Sequence, residues 1–182
     1  MSEMSRAVLR LLADDLTGAL DSAAPFVKLC GPIGAHWRLP ADPLSPSAAI
    51  SLGTRDEATP LARARFEAAG GIFKGADLAF HKIDSLLRGH PALEIDIACR
   101  QGFSLVIVAP AFPAQGRLTR GGLQRFASGD PVPRERVNPL GRQLQELGHE
   151  LTFVAHPQGL TKASRGIVLC DAESDEALED IA

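Results

Sequence analysis

Residues 8–31 read VLRLLADDLTGALDSAAPFVKLCG, and this stretch decides the fold. A short apolar run, Val8–Leu12, gives way to two acids, and small and apolar residues then continue to a glycine. The first run has the length of a buried strand. The stretch from Thr17 through Cys30 is predicted helical, with Thr17 placed to cap its start and Gly31 placed to end it. Strand, polar turn and helix make the unit from which parallel α/β sheets are built.

The same grammar repeats outward from there. Strands are predicted at Ile33–Trp37, Ala48–Leu52, Leu78–Lys82, Leu105–Ala109, Leu151–Ala155 and Ile167–Cys170. Helices are predicted at Pro60–Ala69 and Pro91–Arg100, each opened by a proline that suits a first helical turn. Two more are predicted at Asn138–Leu147 and Asp175–Ala182. The expected fold is therefore α/β, a three-layer sandwich with a mostly parallel sheet, in one domain over residues 1–182. Pro40–Pro46 reads as a surface loop. Pro110–Pro133 reads as a long loop with four prolines, four glycines and Arg117, Arg120 and Arg125, and long structured loops tend to be functional. The chain stops inside a predicted helix, as either a natural terminus or a cut before a further domain would show.

Composition narrows the function. Hydrophobic residues make up 45% of the 182 and charged residues 23%, enough for a core, and the net charge is −3. No long basic run is present, which argues against nucleic acid and anionic membrane as partners. No apolar run reaches the roughly 20 residues of a membrane span, and a cytoplasmic protein is expected. Cys30, Cys99 and Cys170 form no C-x-x-C pair and read as small buried residues in a reducing compartment.

Polar residues follow the strands. Asp14 and Asp15 come after the first; Thr54, Arg55 and Asp56 after the third; Asp84, Ser85, Arg88 and Gly89 after the strand ending at Lys82; Arg117 and Asp171 after later ones. Ligands of open parallel sheets bind outside the carboxyl ends of the strands, so this is the footprint of a site for a small, polar, anionic ligand. Taken singly, each group has a plainer reading. Asp14–Gly18 is also a helix-capping turn, Arg55 beside Asp56 and Glu57 a solvated ion pair, and His81 a satisfied strand residue. The common sheet edge favours the site. Within the first turn, Asp15 stands nearer the helix and is expected to bond its N–H groups, leaving Asp14 for the ligand.

Several reaction classes fail on spacing. Aligning Asp15 and Thr17 with an aspartate-nucleophile phosphatase puts Ala13 where the nucleophile must be. Gly159-Leu160-Thr161-Lys162 lacks the spacing of a Walker phosphate loop, and Gly70–Gly75 does not match a dinucleotide fingerprint.

Four blocks, in order, resemble the four-carbon acid sugar kinases, which phosphorylate threonate, erythronate and oxo-tetronate. They are Ala13–Ala19 with Asp21; Thr54-Arg55; Lys82–Gly89; and Pro110–Arg117 with Gly121-Gly122. The resemblance covers nearly the whole chain and implies the amino-terminal, substrate-binding domain of a protein about twice this length. It implies a sugar acid as ligand, and ATP with Mg2+ bound by a nucleotide-binding domain or chain outside these residues. It also implies substrate contacts from Asp14, Arg55 and the Lys82–Arg88 loop with Lys82, Asp84, Ser85 and Arg88; the strand-end reading adds Gly89 and Arg117, and the role of orienting the attacking hydroxyl is assigned to Asp14 or Asp15. Arg55 and Arg88 are expected near solvent, where each can grip a carboxylate with two hydrogen bonds. Where the family has lysine, threonine and asparagine, this chain has His81, Leu86 and His90, and the region around Asn138–Leu140 is altered too. The rival reading is a non-catalytic sugar-acid-binding module or a decayed gene product.

Overall fold

The structure, a computed structural model, describes residues 6–41, 44–156, 159–160 and 165–182. Residues 42 and 43 of the expected Pro40–Pro46 loop and residues 161 and 162 of the Gly159–Lys162 stretch lie outside the described residues. The chain divides into two compact units, Met1–Ile83 and Asp84–Ala182.

The first unit is built on the strand–turn–helix repeat. Strands β1 (Leu9–Ala13), β2 (Gly34–His36), β3 (Ala48–Ser51) and β4 (Leu78–Lys82) form one parallel sheet in the order β2-β3-β1-β4. Leu9, Leu11 and Ala13 alternate onto one face and pack against Ala19, Ala23 and Cys30. Ala19 and Ala23 belong to helix α1 (Leu16–Ala23). On the other face lies α3 (Thr59–Ala68), whose Phe66 ring sits 5.8 Å from that of His81 in β4. Helices thus cover both faces of a parallel sheet. The expected single helix Thr17–Cys30 is interrupted. After α1 comes a 3-10 turn, Ala24–Phe26, and then α2 (Val27–Cys30). Pro25 is the cause, because its ring removes an N–H and crowds the carbonyl one turn back.

In the second unit α4 (Pro91–Cys99) precedes β5 (Leu105–Val108). The expected loop Pro110–Pro133 is instead mostly a hairpin, β6 (Arg117–Arg120) and β7 (Leu123–Phe126), paired antiparallel. Gly121 and Gly122 join the strands, both with positive φ (61° and 72°), as a two-residue hairpin turn requires. Helices α5 (Pro133–Val137) and α6 (Leu140–Glu146) follow. Then come β8 (Leu151–Val154), β9 (Gly166–Cys170) and α7 (Asp175–Ile181). Strands β5, β9 and β8 make a parallel sheet with β9 in the middle. Val154, Val168 and Cys170 pack with Ile181 of α7 on one face. Phe153 occupies the other, and a methyl group on Gly122 would lie 2.7 Å from its ring.

The α/β class with mostly parallel pairing is what the structure shows, but the described strands divide between two parallel sheets and a two-stranded hairpin. Periodicity marks a strand without naming its neighbour. Here β5 pairs with a strand some 60 residues downstream and not with β4.

Candidate functional site

The register of the first sheet sets its carboxyl edge. Ala13 of β1 lies level with Ser51 of β3 and Lys82 of β4, so the segments after all three strands leave the sheet together. Pairing continues past the ladder, with Leu52 N–H donating to Ala13 O and Thr54 N–H to Asp14 O, both at 2.9 Å. Arg55 is thereby set over Asp14. Its Nε donates to Asp14 Oδ2 at 2.7 Å and its Nη2 to Asp14 Oδ1 at 2.8 Å. A third bond runs from Nη1 to Asp15 Oδ2. Asp15 caps α1, its Oδ1 accepting from Gly18 N–H at 2.8 Å. The cap therefore falls two residues before Thr17, which lies inside the helix.

These contacts correct one expectation and refine another. Arg55 is not a free surface clamp. Its side chain is 15% exposed, and its fork is filled by Asp14, which is fully buried. Asp14 does not present an open carboxylate, and of the two acids Asp15 is the more exposed, at 28%. Lys82 Nζ donates to Ile83 O at 2.6 Å. The absent side chain of Gly18 makes room here, since a Cβ would stand 2.7 Å from Asp15 Oδ1 and 3.3 Å from Lys82 Cγ.

The second unit holds Asp84, Ser85, Arg88, Gly89 and Arg117. Arg88 wraps back on Asp84, with Nε to Oδ2 at 2.8 Å, Nη2 to Oδ1 at 2.9 Å and its own backbone N–H to Oδ2 at 3.1 Å. Asp84 is buried while Arg88 is 58% exposed. The turn they close contains Leu87, the one described non-glycine residue with positive φ (58°). Such a conformation costs about 1–3 kcal/mol and recurs at functional sites. Here the almost fully buried Leu87 side chain and the Asp84 network hold it in place. Arg117 differs from the other two arginines. Its Nη1 donates to Ser85 Oγ at 2.7 Å, and among the described residues it has no carboxylate partner.

Other polar residues prove structural. Asp171, expected at the ligand edge, accepts from the N–H groups of Gly121 (2.6 Å) and Gly122 (2.8 Å) and so caps the hairpin turn. His149 Nε2 lies 2.9 Å from buried Asp96 Oδ1, which also takes Arg100. The three cysteines are free; Cys30 and Cys170 are buried and Cys99 half-buried. Burial first, then a nearby aspartate (Asp96 and Asp171 respectively), pushes the Cys99 and Cys170 thiols up. Among the described residues no three His, Cys, Asp or Glu side chains group as a metal cage, and no helix is long and apolar enough to cross a membrane. An open depression of about 370 Å3 on the first unit, lined by Arg10, Leu39, Gly70 and Lys74 among others, contains none of the candidate side chains.

Sequence reasoning passed over Gln124, which the structure puts at the centre of the second group. It is buried, and its carboxamide bonds Ser85 O, Pro110 O and Thr119 Oγ1. The glycine pair two residues upstream was the available signal, since two glycines between short runs mark a hairpin.

A family model described as the sugar-binding N-terminal domain matches residues 9–138. The chain belongs to this family. Two D-threonate kinases are similar to it. The one from Bordetella bronchiseptica is 34% identical over 62% of this chain and 31% of its own length. The one from Cupriavidus necator is 37% identical over 67% of this chain and 30% of its own. A crystal structure of a domain of unknown function from Bordetella bronchiseptica, a domain-swapped dimer with bound citrate, matches 97% of this chain with a TM-score of 0.73 and 25% identity. The match takes in 51% of that chain. This sugar-binding domain therefore spans about a third of the length of the curated relatives and about half of the solved one. The resemblance to the amino-terminal part of the four-carbon acid sugar kinases is borne out.

Proposed function

We propose that residues 1–182 bind a four-carbon sugar acid as the substrate-holding part of an ATP-dependent kinase that phosphorylates one of its hydroxyls. The observation that carries this reading is Arg117, a cation held on the Ser85 hydroxyl and matched by no carboxylate among the described residues. A guanidinium in that state is suited to the carboxylate end of a sugar acid, because charge-assisted forked bonds are strong and directional. The relatives named as D-threonate kinases support a sugar acid, and the citrate in the solved relative supports a carboxylate ligand in this family.

Roles are assigned within each unit. In Asp84–Ala182, Arg117 and Ser85 take the carboxylate, while Arg88, Asp84 and Gly89 shape the loop that carries Ser85. In Met1–Ile83, Arg55 holds Asp14 in place through two hydrogen bonds, and Asp15, the more exposed acid, is the one to orient a hydroxyl, with Lys82 beside it. Orientation of the attacking oxygen is most of what the acceptor side of phosphoryl transfer requires. ATP and Mg2+ are assigned to no residue of this chain.

Calorimetric titration with D-threonate and erythronate tests the reading. Wild type should bind at least one, and Arg117→Ala should lose about 1.5–3 kcal/mol of binding, the scale of a charged hydrogen bond. Equal affinity in the two proteins, or no binding by wild type, would contradict it.

A further inference from the structure

Gln124 sits in β7 level with Thr119 of β6 and is 1% exposed. A carboxamide offers two N–H donors on one atom and one carbonyl acceptor. Its Nε2 donates to Ser85 O at 2.8 Å and to Pro110 O at 2.9 Å, and its Oε1 accepts from Thr119 Oγ1 at 2.7 Å. Two backbone carbonyls can only accept, so these partners fix which way round the amide stands. The main chain of Gln124 is anchored as well. Its N–H donates to Glu135 Oε2 at 3.3 Å, and its carbonyl accepts from Val132 N–H at 3.0 Å.

The two carbonyls belong to different sequence blocks. Ser85 lies in Lys82–Gly89, and Pro110 opens the block that ends at Arg117. Ser85 is therefore gripped twice, its carbonyl by Gln124 and its hydroxyl by Arg117. A side chain that joins two loops through one nitrogen must be long and must carry an NH2 group. Glutamate has no N–H to give, asparagine is one methylene short, and methionine fills the space without bonding.

We propose that Gln124 is a positioning residue, which holds the Ser85 and Pro110 loops at the spacing that lets Arg117 and the Ser85 hydroxyl meet one carboxylate. This rests on the carboxylate reading given above. Gln124 itself touches no ligand; it acts through Ser85.

The test compares the 182-residue chain with Gln124→Met and with Ile167→Val, a mild core change in β9, outside both loops in sequence. Two readouts are taken below the unfolding temperature of all three proteins: amide hydrogen exchange, and affinity for D-threonate. Gln124→Met should speed exchange at least tenfold in residues 84–88 and 110–117, and should bind D-threonate at least tenfold more weakly. Ile167→Val should stay within twofold of wild type in both. If wild type binds and Gln124→Met binds within twofold of it, the proposal is overturned. Should wild type itself fail to bind, the carboxylate reading falls, and exchange alone decides whether Gln124 holds the loops; unchanged exchange in 84–88 overturns that too. Where Gln124→Met does not fold, Thr119→Val, which removes only the hydroxyl that steadies the amide, takes its place. A smaller effect in the same direction is then expected, and none overturns the proposal.

Discussion

Asp14 has no exposed surface, and both of its carboxylate oxygens are bonded to Arg55. A carboxylate so placed depends on its partner, because an unpaired charge in a buried site is expensive. Removing one member of a buried pair costs about 3–5 kcal/mol. Arg55→Ala is therefore expected to destabilise the fold by that amount. Arg88→Ala should cost less, about 1–3 kcal/mol, since the Arg88 side chain is 58% exposed and buried Asp84 keeps the Arg88 backbone N–H as a partner. Urea unfolding of the two variants checks this, and equal losses would contradict it. The difference between the two arginines is not legible in sequence. Each follows a strand and precedes an acid or a glycine, and only the continued pairing of Thr54 with Asp14 carries Arg55 inward. The acids were easier to read. Asp15 stands directly before an apolar helical stretch, where a short acceptor is wanted, and it is the cap.

At the scale of elements, α1 contains a local conflict that tertiary structure settles. Glycine inside a helix is usually worse than alanine by about 1 kcal/mol, so Gly18→Ala would stabilise an isolated α1. In the protein the added Cβ would stand 2.7 Å from Asp15 Oδ1, an atom on a short side chain that is also tied to Arg55. Displacing the cap costs about 0.5–2 kcal/mol, and the contact with Arg55 is lost besides. Gly18→Ala is expected to be less stable than wild type by about 1 kcal/mol in chemical denaturation. A gain in stability would mean that Asp15 moves aside freely. Most element boundaries were legible because proline and glycine mark them. Pro60 and Pro91 open helices, and Gly31 closes one. The same residues misled in two places. Pro25 sits inside an otherwise helical pattern yet breaks the helix, and the glycines of Pro110–Pro133 suggest a loop where Gly121-Gly122 turns a hairpin.

For the whole molecule, the α/β class and the family follow from local patterns, whereas the division of the strands between two parallel sheets and a hairpin does not. Strand pairing joins residues tens of positions apart, and the apolar runs of β4 and β5 look alike whichever neighbours they take. The candidate residues of each unit show the same division. The family blocks supplied eight of them by type, but their states came only from the fold: Arg55 filled, Arg88 folded onto its own turn, Arg117 matched to a neutral hydroxyl. That contrast can be observed directly. In the 15N-labelled chain, the arginine Nε–H signals, assigned with Arg55→Lys, Arg88→Lys and Arg117→Lys variants, are followed during addition of D-threonate. The Arg117 signal should move and saturate with ligand while the Arg55 signal stays in place. No movement of any arginine signal, or movement of Arg55 with Arg117 still, would contradict the account.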